Sequence, residues 1–204
     1  MKKKIAFFDF DGTLIQGDSL YILLRANNSL PALVWAVLSH SHLVVMVVLG
    51  MYDKEKLKEK LFGALYRGTS YTDFIQHCMS IQPLLVSSEN KELTAALQKR
   101  ITDGYEVAIV TASMSEWVKP WTGKYGNIPV ISTVPEVIDG ILTGRFASKN
   151  CNGIEKKNRI LSAYDLSGYG DVAAYGNSKG DYDMFSLATE AYMINKGSTE
   201  RFKK

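Results

Sequence analysis

Cysteine, proline and one-signed charge are all scarce in this chain, and each scarcity removes a class of protein. The 204 residues hold two cysteines, Cys78 and Cys151, far apart, with no Cys-x-x-Cys pair and no histidine at zinc spacing. A disulfide framework and a zinc site are therefore not indicated, and a reducing, cytoplasmic compartment is expected. Five prolines and 16 glycines are too few for a collagen-like or low-complexity chain. A hydrophobic content of 46% against 22% charged excludes intrinsic disorder, so a globular protein is expected, one domain of ordinary size or one carrying a modest insertion. The formal net charge of +3 sits at the ends, in Lys2, Lys3, Lys4, Arg201, Lys203 and Lys204. The stretch between is mildly acidic, which leaves nucleic acid without an electrostatic footprint. The basic start runs directly into Phe7, Phe8 and Asp9 without a long apolar stretch, so no secretory signal is expected.

Charge is missing altogether from Ala26 to Tyr52, a span longer than the ~20 residues of a membrane helix. Polar residues interrupt it, however. Asn27, Asn28, Ser29 and Pro31 occupy its start, and Ser39, His40, Ser41 and His42 split the remainder into Leu30 to Leu38 and Leu43 to Met51. A polar break at mid-depth is costly in lipid, so two short apolar helices fit better than a span. Such a pair can bury itself against other helices or a second subunit as a homodimer, or lie in a membrane interface. The expectation for Leu30 to Met51 is a helical hairpin whose apolar surface sits beside the active-site entrance.

The rest of the chain alternates between two periods. Residues 4 to 10 form a short apolar run that ends in a turn, which reads as a buried strand. Asp18 to Ala26, Asp53 to Tyr66 and Tyr71 to Ile81 then carry apolar residues at helical spacing, so roughly 65 residues pass without a convincing strand. From Asn90 the rhythm becomes helix (90–102), strand (106–111), helix (115–125), strand (128–132), helix (153–164), strand (171–175), helix (181–187) and strand (191–194). Val137 to Phe146 reads as a hairpin turning at Asp139-Gly140. Strands alternating with helices predict a parallel sheet. The expected fold is α/β, a Rossmann-like three-layer αβα core with a helical cap inserted after the first strand: core 1–14 and 82–204, cap 15–81.

Ligands of open parallel sheets bind at the carboxyl ends of the strands, and polar residues gather at four places there. Asp9 and Asp11 end the first strand, followed by Gly12 and Thr13. Two carboxylates on one side of an extended segment repel unless a cation or a proton separates them, although two solvated turn aspartates would read the same way. Thr111, Ala112 and Ser113 close a strand and open a helix, which makes either an anion site or an N-cap. Lys156 and Lys157 sit near a helix start, at the wrong end of the macrodipole for a cation, so an anionic ligand would compensate them. Gly176, Asn177, Ser178 and Asp181 gather oxygen donors of the kind a hard cation such as Mg2+ prefers.

These segments resemble a family. Phe7-Phe8-Asp9-Phe10-Asp11-Gly12-Thr13-Leu14 is similar to the first motif of the haloacid dehalogenase superfamily, and Ile109-Val110-Thr111-Ala112-Ser113 to its second. Gly153 with Lys156, and Gly176-Asn177-Ser178 through Asp181, fit the third and fourth. The hairpin Asp139 to Gly144 is similar to one in the phosphoserine-phosphatase-like branch. The resemblance implies a Mg2+-dependent phosphatase acting on a phosphate monoester, either a small metabolite such as phosphoserine or a phospholipid head-group phosphate. In that reading Asp9 is the nucleophile that forms an aspartyl-phosphate, and Asp11 is the general acid and base. Gly12, Thr111, Ala112 and Lys156 would bind phosphate, with Lys156 preferred over Lys157 on spacing. Asp9, Asp11, Asn177 and Asp181 would serve the metal, and Asp18 would be a substrate-facing acid of the cap. The usual first acid of the fourth motif is Asn177 here, so one ligand is neutral. A phosphate-receiver domain without turnover is the alternative, but it has no use for Asp11 or for a helical insertion.

Overall fold

The computed structural model describes residues 2–126, 128–195 and 198–202; Lys203 and Lys204 of the basic end lie outside them. A six-stranded sheet runs in the order β3-β2-β1-β6-β7-β8. Its members are β1 (Lys3–Phe8), β2 (Glu106–Met114), β3 (Val130–Thr133), β6 (Tyr169–Gly176), β7 (Glu190–Asn195) and β8 (Ser198–Arg201). All pairings are parallel except β7 with β8. Side chains alternate across this sheet, as a period of two requires. Phe8, Ile109 and Tyr175 face one helical layer, which contains Leu93, Leu97, Trp117 and Trp121. Phe7, Ala108, Val110 and Ala174 face the other, which contains Ile160, Met184 and Phe185. The core is thus three layers, αβα, with Ile5 to Phe8 of β1 fully buried at its centre.

Helices α7 (Lys91–Thr102) and α8 (Ser115–Thr122) cover the first face, and α9 (Ile154–Ala163) and α10 (Tyr182–Phe185) the second. The chain leaves β1 to β2 and β3 on one side and to β6 and β7 on the other, so strand order reverses at β1. That reversal opens the crevice in which ligands of such sheets bind.

Between β1 and α7 come α1 (Ser19–Asn27), α2 (Leu30–Ser39), α3 (Ser41–Val48), α4 (Lys54–Tyr66), α5 (Tyr71–Ser80) and α6 (Gln82–Ser87). Local signals start most of them: the side chains of Asp18, Ser29, Asp53 and Ser70 accept from backbone N–H groups in their first turns, a stabilisation of about 1 kcal/mol each. Phe62 packs against Tyr66, Phe74 and Phe146. The hairpin β4 (Pro135–Ile138) and β5 (Ile141–Phe146) lies apart from the main sheet and docks on α4. There Gly63 and Gly144 meet backbone to backbone, and a Cβ on Gly63 would lie 2.6 Å from the Gly144 carbonyl oxygen.

Several sequence expectations shift. β2 runs on to Met114, its pairing with β3 slipping after Thr111. α10 is one turn rather than the whole of 181–187, because a 3-10 turn at Lys179–Asp181 precedes it. α6 and β8 had no expected counterpart. The largest correction concerns residues 30–51: α2 and α3 meet at a bend of 65°, not as a hairpin. Ala36 is the one fully buried residue of the pair, so packing against α1 and α4 covers only one side, where Leu33, Leu43, Val44 and Met46 are half-buried, and leaves the rest exposed. Among the described residues no single helix is long and apolar enough to cross a membrane.

Candidate active site

Burial on both sides of β1 fixes where its last carboxylates can go. Phe8 pairs with Ile109 and Tyr175, and the next residue is held by a backbone bond from Asp9 N to the Tyr175 carbonyl, 2.9 Å. The Asp9 side chain thereby enters the crevice while remaining 6% exposed. Lys156, in the first turn of α9, sends Nζ to Asp9 Oδ1 at 2.6 Å and to Asp181 Oδ1 at 2.7 Å. Thr13 Oγ1 donates to the other Asp9 oxygen at 3.0 Å. Burial pushes the Asp9 carboxyl up to about 7, opposed by the Lys156 charge and reinforced by that of Asp181. Burial alone would lower the Lys156 ammonium, but the charges of Asp9 and Asp181 outweigh it and hold the group above its usual range. Removing one member of such a buried cluster leaves a charge uncompensated, at a cost of about 3 to 5 kcal/mol.

Lys157, one residue on, points away from the cavity and donates to Ser186 Oγ. Helix phase separates the two lysines: Lys156 shares its face with buried Ile160, and Lys157 does not.

Asp11 sits in a different environment. Its Oδ1 accepts from Ser19 N at 2.7 Å, and its Oδ2 accepts a short bond from Ser113 Oγ. With that proton committed, Ser19 Oγ donates to Ser113 Oγ at 2.8 Å and accepts from Trp117 Nε1 at 2.8 Å. The chain from Trp117 through Ser19 and Ser113 therefore orients the Asp11 carboxyl. Burial raises its pKa, with the Asp18 charge adding to the effect and the bonds from Ser113 and Ser19 opposing it. A buried carboxyl whose affinity for a proton is raised and that faces a cleft is suited to acid–base work.

Asp9, Asp11, Gly12, Asp18, Thr111, Ala112, Lys156 and Asn177 all line one cavity of about 470 Å³. Gly12 is there for a steric reason: its φ is +71°, and a Cβ would collide with the Asn177 amide. Asp181 stands behind the cavity instead of lining it. Its Oδ1 meets Lys156, and its Oδ2 accepts from Asn177 N, Ser178 N and Ser178 Oγ at 3.0 to 3.1 Å. Both of its oxygens are engaged in holding the lysine and the loop.

Sequence reasoning missed the opposite wall, which α4 supplies. Lys58 Nζ reaches Asp18 Oδ2 at 2.8 Å, while the other Asp18 oxygen caps α1. Glu55 accepts from Asn150 Nδ2 at 2.5 Å and from Asn152 Nδ2 at 3.3 Å, joining α4 to the loop before α9. An inner recess beside Asp11, lined by Leu20, Met114, Trp117 and Phe146, holds only about 20 Å³, room for one water. A leaving group must therefore occupy the outer cavity, against Asp18, Glu55 and Lys58. No residue of α2 or α3 lines either space, so the expected apolar wall at the entrance is replaced by a charged one.

The donor set in the cavity suits a hard cation: carboxylates of Asp9 and Asp11, the amide of Asn177 and the hydroxyl of Ser178 are oxygen donors, and Mg2+ takes few protein carboxylates with water or phosphate completing its shell. Among the described residues no cluster of three or more His, Cys, Asp or Glu side chains is preassembled for a metal.

Comparison with known proteins bears on the family and the fold. The model of the haloacid dehalogenase-like hydrolases matches residues 6–186. The phosphoserine phosphatase SerB1 of Mycobacterium tuberculosis is 26% identical over 210 residues, covering 93% of this chain and 64% of the relative, so the chain spans about two thirds of that relative's length. Protein CicA of Caulobacter vibrioides is 27% identical over 196 residues, covering 93% of this chain and 86% of that one. Among solved structures, a Bordetella pertussis protein of unknown function superposes with a TM-score of 0.75 at 20% identity, covering 94% of this chain and 89% of the other. A phospho-aspartyl intermediate analogue of a phosphoserine phosphatase superposes at 0.68 and 20% identity, covering 94% and 86%. At these identities the structures speak to fold, a parallel αβα core with helices inserted after the first strand.

Proposed function

The chain belongs to the haloacid dehalogenase-like hydrolase family, and on that premise we propose that it is a Mg2+-dependent phosphomonoesterase working through an aspartyl-phosphate on Asp9. One observation carries the reading: two carboxylates two residues apart meet opposite surroundings. Asp9 is paired with the Lys156 ammonium, whereas Asp11 accepts from the Ser113 hydroxyl and the Ser19 backbone N–H and has no ion pair among the described residues.

The division of labour follows. A carboxylate oxygen of Asp9 attacks phosphorus, the bond to the ester oxygen breaks, and Asp11 gives its proton to the departing alcohol. Asp11, now ionised, takes a proton from a water that attacks the same phosphorus, and inorganic phosphate leaves with Asp9 restored. Thr111, the backbone N–H groups beside Ala112, and Lys156 hold the phosphoryl oxygens, where charge stabilisation is the main contribution to rate. When bound, Mg2+ held by Asp9 and Asn177 would neutralise phosphate charge, leaving the Asp11 carboxyl free for proton transfer. Asp181 acts by fixing Lys156. Residues 15–81 serve as the cap that covers the site, latched by Glu55 to Asn150 and Asn152.

For the substrate, the charged wall of Asp18, Glu55 and Lys58 favours an alcohol with polar or charged groups next to the ester oxygen, such as a small phosphorylated metabolite of the phosphoserine type. Lys58 would meet an anionic group and Asp18 or Glu55 a cationic one. A phospholipid head-group phosphate is the second reading, favoured by the exposed apolar pair α2 and α3 on the same helical segment. A phosphatase screen with Mg2+ across phosphoamino acids, sugar phosphates and lipid phosphates tests both. Phosphate release that disappears in Asp9→Asn is expected, and wild-type turnover in Asp9→Asn refutes the mechanism.

A further inference from the structure

We propose that α2 and α3 seat this protein on an anionic lipid surface, with the basic cleft beside them holding lipid phosphates. The apolar side is large and unpartnered among the described residues. Leu30, Trp35, Leu38, Val48, Leu49 and Met51 are each more than half exposed, and no charged side chain falls between Ala26 and Tyr52. Exposed apolar area of this extent marks a contact surface.

Two features select lipid over a second copy of the chain. The first is what the surface lacks. Protein interfaces carry about one hydrogen bond per 100 to 200 Å², whereas α2 and α3 offer polar side chains only at their bend, and two of these are turned inward: Ser39 Oγ and His40 Nδ1 both bond the Ala36 carbonyl. The elbow thus satisfies two of its polar side chains internally, while Ser41 and His42 stay exposed at the bend, where headgroups and water can meet them. The second is charge. A cleft of about 760 Å³ opens against Trp35 and His40, and Lys60, Arg67 and Arg145 line its far side. None of the three has an ion pair among the described residues. The one acid there, Glu59, accepts from Phe146 N at 2.8 Å. Three unpaired cations and an exposed tryptophan at the edge of an apolar face complement an anionic headgroup layer above hydrocarbon.

The 65° bend and the helix lengths make this a contact within one leaflet. Helices of 10 and 8 residues extend about 15 and 12 Å, well short of the ~30 Å hydrocarbon core.

Sedimentation of the full chain with vesicles of phosphatidylcholine containing about one third phosphatidylglycerol tests the proposal, alongside pure phosphatidylcholine vesicles. Trp117 and Trp121 are buried, so a blue shift of tryptophan fluorescence on vesicle addition reports Trp35. The expected result is binding to the anionic vesicles, a blue shift, and release at high salt. Leu38→Glu with Val48→Glu should abolish sedimentation while leaving phosphate release and the melting temperature unchanged. Lys60→Gln, Arg67→Gln and Arg145→Gln together should lower partitioning about a hundredfold, near fivefold per charge. No sedimentation of the wild-type chain at low salt, or equal partitioning of the triple variant, overturns the proposal. So does a solution dimer that Leu38→Glu with Val48→Glu disrupts, if lipid binding is absent.

Discussion

Residues 5–14 and residues 30–51 are both apolar stretches of this chain, and they end in opposite conditions. In the first, Ile5 through Phe8, Phe10 and Leu14 are fully buried, and the carboxylates among them have hydrogen-bond partners for every oxygen. In the second, a single alanine is buried. The hydrophobic effect acts on both alike, so the difference lies in neighbours. β1 has a strand on each side and a helical layer on each face, whereas α2 and α3 rest on α1 and α4 along one side only. Apolar sequence thus locates a surface that needs a partner, and the fold decides whether the chain itself supplies one.

The sharpest way to break this contrast is Asp9→Asn. It removes the nucleophile from a fully formed setting, and phosphate release should fall by at least about ten-thousand-fold, while circular dichroism stays native. Lys156→Ala comes next. It leaves Asp9 and Asp181 facing each other in a buried site, and denaturant unfolding should show a loss of about 3 to 5 kcal/mol together with loss of activity. If stability is unchanged, the carboxylates have solvent access and the buried cluster is misassigned.

Asp11→Asn should cost about a hundredfold or more in rate with stability nearly intact, since its amide oxygen can still accept from Ser19 N while its amide nitrogen donates to Ser113 Oγ, whose hydroxyl can turn to donate elsewhere. Asn177→Asp carries a smaller effect of opposite sign: a carboxylate beside the cation adds attraction, partly offset by repulsion from Asp9. The Mg2+ concentration for half-maximal activity should fall several-fold, and unchanged metal dependence would remove Asn177 from the ligand set. The smallest effect belongs to the exposed pair. Leu38→Ser should change stability by less than about 0.5 kcal/mol, where Phe62→Ala costs about 3 to 5 kcal/mol. A large loss in Leu38→Ser would mean that α2 is packed in solution after all.

Legibility in the sequence follows the same contrast. The αβα core was readable because β1, β2 and β6 are buried on both faces and appear as unbroken apolar runs ended by polar residues. Asp9, Asp11 and Thr111 stood out at those strand ends. Lys156 and Lys157 could be separated only by spacing, because the phase of α9 depends on which face meets the sheet. Glu55 and Lys58 were invisible: α4 reads as a solvated helix of alternating Lys and Glu, and nothing local shows that Lys58 turns toward Asp18 across 40 residues of chain. Asp181 was legible as an acid but not as the partner of Lys156, since that contact spans separate loops. β8, Ser-Thr-Glu-Arg, has no apolar alternation because it is an edge strand, and its place comes from pairing with β7.

The central claim, a covalent intermediate on Asp9 resolved by Asp11, is tested most directly by acid-quenching Asp11→Asn during turnover of para-nitrophenyl phosphate and mapping phosphorylation by mass spectrometry. The account predicts phosphoryl on the peptide containing Asp9, accumulating in Asp11→Asn and absent from Asp9→Asn. Phosphoryl on another residue, or full turnover in Asp9→Asn without any acyl-phosphate, would contradict it.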